Sequence, residues 1–76
     1  MSDTVTVRAL ATLAPFAPPN GVVAFTSGQT AGEVVRGLGI DLAAIATVLR
    51  NGRPASLDAR LAPGDVLSLV PPITGG

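Results

Sequence analysis

Seventy-six residues with no net charge and 47% hydrophobic content fit one small domain, and a chain this short buries only about 60% of its unfolded surface. Without Cys or His it has no disulfide, no thiolate nucleophile, no cysteine zinc site and no imidazole general base, so a self-contained enzyme is not expected. Five scattered Arg, no Lys, and Phe16 and Phe25 as the sole aromatics give neither a basic stripe nor a stacking platform for nucleic acid, and no apolar run nears the ~18–20 residues of a membrane span.

In chain order, Thr4 to Ala9 alternates polar and apolar residues with β-branched character, the pattern of a half-buried strand. Pro15, Pro18 and Pro19 then forbid a long regular element, so Leu10 to Asn20 reads as a loop or short turn carrying Leu13 and Phe16 inward. Asn20-Gly21 offers a turn into a second strand, Val22 to Thr26, antiparallel to the first. Thr30-Ala31-Gly32-Glu33 fits a capping box and starts a helix whose Ala31, Val34, Val35 and Leu38 form one apolar stripe. Gly39 stands where a left-handed C-terminal cap is expected. Leu38, Ile40, Leu42 and Ile45 read as core, with a helical turn near Asp41 to Ala44. Ala46 to Arg50 predicts a third strand. Asn51-Gly52 is a strong hairpin signal, and Arg53-Pro54-Ala55 returns briefly at an edge. Pro63-Gly64-Asp65 turns into the last strand, Val66 to Val70. These elements predict an α+β layer, one helix across a mixed sheet of four to five strands.

Asp3, Glu33, Asp41, Asp58 and Asp65 are dispersed and read as caps, turns and solvated faces, with Asp65 orienting its turn rather than touching ATP. Met1-Ser2-Asp3-Thr4 carries no secretory pattern, which makes the cytoplasm the default. After Val70, Pro71 and Pro72 hold φ near −65° and push the chain outward, and the six residues that follow Val70 can reach on the order of 20 Å. Gly75-Gly76 has no Cβ to obstruct a narrow channel and would present an unhindered carboxylate, the makings of a reactive handle; a merely frayed terminus is the competing reading. The expected division is 1–70 as the folded domain and 71–76 as a projecting tail.

The element order resembles the β-grasp fold of ubiquitin. Asn51-Gly52, Leu61-Ala62-Pro63-Gly64-Asp65-Val66 and above all Pro71-Pro72-Ile73-Thr74-Gly75-Gly76 resemble the ubiquitin-like sulfur carriers, the small subunit of molybdopterin synthase and the thiamine-pathway carriers among them. The resemblance implies a non-catalytic carrier with no bound cofactor. An ATP-dependent, E1-like adenylating enzyme would activate Gly76, which then bears the sulfur as a thiocarboxylate, with Gly75 as its slender neighbour. The acceptor would be an enzyme such as the molybdopterin synthase large subunit. Arg53, Pro71, Pro72 and Ile73 are candidates for partner docking, although for Arg53 the solvated hairpin residue is the stronger reading. Ser68-Leu69-Val70 departs from the aromatic residues that many molybdopterin-type carriers have before the proline pair, and the prolines depart from the thiamine-pathway tails. Carriers for cysteine, tungsten-cofactor or natural-product synthesis, a ubiquitin-like modifier, and a noncovalent β-grasp module stay open.

Overall fold

The computed structural model describes residues 3–72. Its strands are β1 (Thr4–Ala9), β2 (Val22–Ala24), β3 (Thr47–Arg50), β4 (Arg53–Ala55) and β5 (Val66–Val70), with one helix, α1 (Ala31–Gly37). They form a single sheet in the order β2-β1-β5-β3-β4, in which β1 and β5 are parallel and the other neighbours antiparallel. This is the β-grasp arrangement, with the last strand at the centre.

The alternation read in β1 becomes burial of Val5 and Val7, which share the inner face with Leu67 and Leu69 of β5 and Val48 of β3. Helix α1 lays Ala31, Val34 and Val35 on them, and Leu13, Ile40 and Leu61 close the core. Leu38, Leu42 and Ile45 are half-buried against its margin. Burying each large aliphatic side chain contributes roughly 1.5–3 kcal/mol.

Both ends of α1 are specified locally. Thr30 Oγ1 accepts from the Glu33 N–H at 3.2 Å, while Glu33 Oε1 accepts from the Thr30 N–H at 3.3 Å, completing the capping box. At the other end Gly39 has φ +81°, its N–H donates to the Arg36 carbonyl, and the Ile40 N–H donates to the Val35 carbonyl. That bond pair is a Schellman cap, and the buried Ile40 and Val35 supply its apolar contact. The first helical N–H groups are also used: those of Ala31 and Gly32 donate to the Ala59 and Leu57 carbonyls at 3.0 and 2.8 Å. A Cβ on Gly32 would lie 3.1 Å from the Leu57 carbonyl oxygen, so this close approach favours glycine.

Two expectations change in detail. The segment after β1 forms a 3-10 turn over Ala11–Phe16, entered through Ala11 at φ 49°, and it buries Leu13 but leaves Phe16 44% exposed. Pro18 is buried in its place, because the turn ends at Ala17, which switches to extended geometry and draws the next residue inward. Strand β2 stops at Ala24, two residues early, although the Phe25 N–H still donates to the Asp3 carbonyl.

Candidate functional site

The candidate site is the root of the C-terminal tail, and β5 positions it. This strand is hydrogen-bonded on both sides, parallel to β1 from Thr6↔Val66 to Ala9↔Leu69 and antiparallel to β3 from Thr47↔Val70 to Arg50↔Leu67. Its last two carbonyls are occupied: Leu69 accepts from the Leu10 N–H at 3.2 Å and Val70 from the Ala46 N–H at 2.9 Å. Pro71, half-buried, and Pro72, exposed, have no N–H with which to continue either ladder. The chain therefore leaves the sheet from its best-anchored strand at a point fixed by covalent restraint.

Beside this exit lies the 3-10 turn of Ala11–Phe16, which packs against β1 and β5 and presents Leu10 and Phe16, each 44% exposed. No charged residue occurs between Arg8 and Glu33. Sequence reading overlooked this surface because it assigned Phe16 to the core. The signal available was the absence of charge across so long a stretch.

The opposite end of β5 is held by a buried carboxylate. Asp65, 6% exposed, receives the Arg50 Nε–H at 2.7 Å and the Ala62 N–H at 2.8 Å on Oδ2, and the Asn51 side-chain amide at 3.0 Å on Oδ1. Asn51 in turn accepts from the Val66 N–H at 2.9 Å, and its own N–H donates to the Val66 carbonyl at 2.8 Å. Burial opposes ionisation of Asp65, but the Ala62 N–H, the Asn51 amide and the Arg50 guanidinium together outweigh it and hold the carboxyl below its ordinary range. Asn51 and Gly52, at φ 53° and 83°, supply the hairpin turn that sets this geometry.

The sequence-derived candidates fall into separate places. Arg53 pairs with Arg50, which faces Leu67 at the head of β5. Pro71 lies four residue steps along the chain from Leu67, about 13 Å at ~3.3 Å per step, so the fold does not bring Arg53 to the tail root. It lines instead a shallow recess with Arg50, Asn51, Pro54 and Ala55. Pro71 and Pro72 are adjacent at the exit, while Ile73, Gly75 and Gly76 lie outside the described residues. Among the described residues no group of three or more acidic, His or Cys side chains could hold a metal ion, and no helix is long and apolar enough to cross a membrane.

Among the solved structures to which the chain is similar are two from one organism. One is SAMP1 from Haloferax volcanii, with 29% identity, a TM-score of 0.70, and coverage of 96% of this chain and 99% of the other. The second is small archaeal modifier protein 1 of H. volcanii, with 28% identity, a TM-score of 0.68, and coverage of 93% and 99%. No curated protein matches the sequence. The ThiS family model matches residues 7–76, from the middle of β1 through Gly75-Gly76. The chain belongs to the ThiS family of ubiquitin-like sulfur carriers.

Proposed function

We propose that this protein carries sulfur as a thiocarboxylate on Gly76, and that its recipient is an enzyme of molybdopterin synthesis such as the synthase large subunit. The observation that carries this reading is the family match running through Gly75-Gly76, joined to a central strand that ends in a proline-stiffened exit. A carboxylate with pKa about 3.3–3.7 is ionised at neutral pH and is a poor acyl electrophile. An E1-like enzyme using ATP would convert it to an acyl adenylate with release of pyrophosphate. A hydrosulfide-level donor then attacks the carbonyl carbon, the C–S bond forms, and the C–O bond to AMP breaks. In the next step the thiocarboxylate sulfur attacks an acceptor carbon, the new C–S bond forming as the bond from that carbon to its leaving group breaks, and water then cleaves the acyl–sulfur bond, regenerating the Gly76 carboxylate and leaving the sulfur on the acceptor as a thiol. The chain itself contributes shape, a fixed exit and an unhindered terminus, while the partners supply the catalytic groups.

A second reading, conjugation of Gly76 to a target lysine, is favoured by the similarity to a small archaeal modifier protein. Intact mass of the protein from its host, before and after alkylation by a thiocarboxylate-reactive reagent, separates the two. Replacement of one oxygen by sulfur at Gly76 supports the carrier, and an isopeptide adduct on lysine supports the modifier. Unmodified protein alone under both treatments would overturn both.

A further inference from the structure

The chain contains two Asn-Gly steps, Asn20-Gly21 and Asn51-Gly52, and both pairs lie in left-handed turns. Asn-Gly is the dipeptide in which a backbone nitrogen reaches the preceding side-chain amide most freely, since glycine has no Cβ to hinder it. The nitrogen loses its proton to solvent base and attacks Cγ. The new N–Cγ bond closes a succinimide, the Cγ–Nδ2 bond breaks, and Nδ2 takes up a proton from the solvent and leaves as ammonia. Water then opens the ring to aspartate or isoaspartate.

The fold treats the two steps differently. The Asn51 amide is held at both atoms, with Nδ2 donating to Asp65 Oδ1 at 3.0 Å and Oδ1 accepting from the Val66 N–H at 2.9 Å. Swinging Cγ toward the Gly52 nitrogen breaks both bonds and removes one donor from a buried carboxylate. Asn20 is exposed, and among the described residues no hydrogen bond engages its side chain. There the restraint is on the nucleophile, because the Gly21 N–H donates to the Pro18 carbonyl at 2.9 Å. That single neutral bond lies in an exposed turn, and a hydrogen bond to a charged group is typically about twice as strong. The restraint at Asn51 therefore exceeds the one at Asn20.

We propose that Asn20-Gly21 is the site at which the native chain deamidates spontaneously, and that Asn51-Gly52 converts only when the head of β5 opens. Conversion at Asn20 puts the first charge into the stretch between Arg8 and Glu33. Conversion at Asn51 sets a second carboxylate against Asp65 and removes the Nδ2 donor, so the head of β5 does not re-form as before.

The test is peptide mapping by mass spectrometry of the full chain incubated at one mildly alkaline pH, with and without denaturing urea, following replacement of the amide NH2 by OH at each site. In the native protein Asn20 converts at least about tenfold faster than Asn51, a ratio equivalent to about 1.4 kcal/mol. In urea, where both are unrestrained Asn-Gly steps, the two rates come within about twofold of each other. A native ratio below tenfold overturns the proposal. So does a ratio that persists in urea, which would assign the difference to flanking residues rather than to the fold.

Discussion

The two ends of β5 are secured by different means. At its head a buried carboxylate gathers three donors from Arg50, Asn51 and Ala62, and Asn51 binds Val66 through side chain and backbone alike. At its tail only backbone carbonyls of Leu69 and Val70 are engaged, and two prolines end the pairing. The head holds the strand in register and the tail releases the chain from it. Under the proposed function, stability and delivery fall to opposite ends of one strand, which allows each to be broken without the other.

The largest effect is expected at the delivery end. Gly76→Val puts a branched side chain on the carbon next to the reacting carboxylate, where loss of fit of order 1 Å costs about 100-fold in rate. Adenylation, followed by ATP–pyrophosphate exchange with the host's E1-like enzyme, should fall by at least about that factor, with thermal unfolding unchanged. Normal turnover by this variant would refute the assignment of Gly76.

At the head the effect is on stability. Asp65→Ala strands the Ala62 N–H and the Asn51 amide in a half-buried pocket and unpairs Arg50, whose side chain is 38% exposed and so rehydrates in part. Urea denaturation should show a loss of about 2–3 kcal/mol, below the full cost of leaving a buried charge unpaired. A loss under about 0.5 kcal/mol, the range of an ordinary surface substitution, would show that the network is incidental to the strand's position.

The pH dependence sharpens the same contrast. Asp65 titrates below its ordinary value in the folded state, so its contribution is complete above the unfolded value of about 3.9 and disappears as pH falls through the folded value. Asp65→Asn cannot ionise and presents an NH2 group to donors. The stability gap between wild type and this variant should therefore be widest near neutrality and shrink as pH drops below about 4, as measured by urea melts across that range. A gap constant with pH would mean that the carboxylate's charge contributes nothing.

Much of the frame was legible in the sequence because it rests on local rules. Thr4 to Ala9, the Thr30 capping box, the Gly39 cap and the Asn51-Gly52 turn each depend on residues within a few positions of one another, and all four formed as read. What escaped depends on long-range register. Asp65 recruits donors from residues 14 and 15 positions earlier in the chain, and no local pattern distinguishes it from a solvated turn aspartate. The sequence offers Arg53 for docking as a guanidinium near the root of the tail, but antiparallel pairing of β3 with β5 sends its hairpin to the strand's head. Phe16 looked like core by composition, and the outcome turned on where a 3-10 turn ended.

The smallest expected effect lies away from β5 altogether and serves as a control on the comparison. Thr30→Ala removes the hydroxyl that accepts from the Glu33 N–H in an exposed cap, a change that costs about 1 kcal/mol in comparable positions. The Ala31 and Gly32 N–H groups keep their partners in the Ala59 and Leu57 carbonyls, so the helix loses the two bonds of the Thr30 hydroxyl, from the Glu33 N–H and to Glu33 Oε1, while its first turn stays docked. Hydrogen exchange should quicken at the Glu33 amide, while the amides of Val66 and Leu67 keep the protection that the Asn51 side chain and the strand give them. If the β5 amides quickened with those of α1, helix and strand would open as one unit, and the head of the strand would owe its order to the whole core rather than to the Asp65 network.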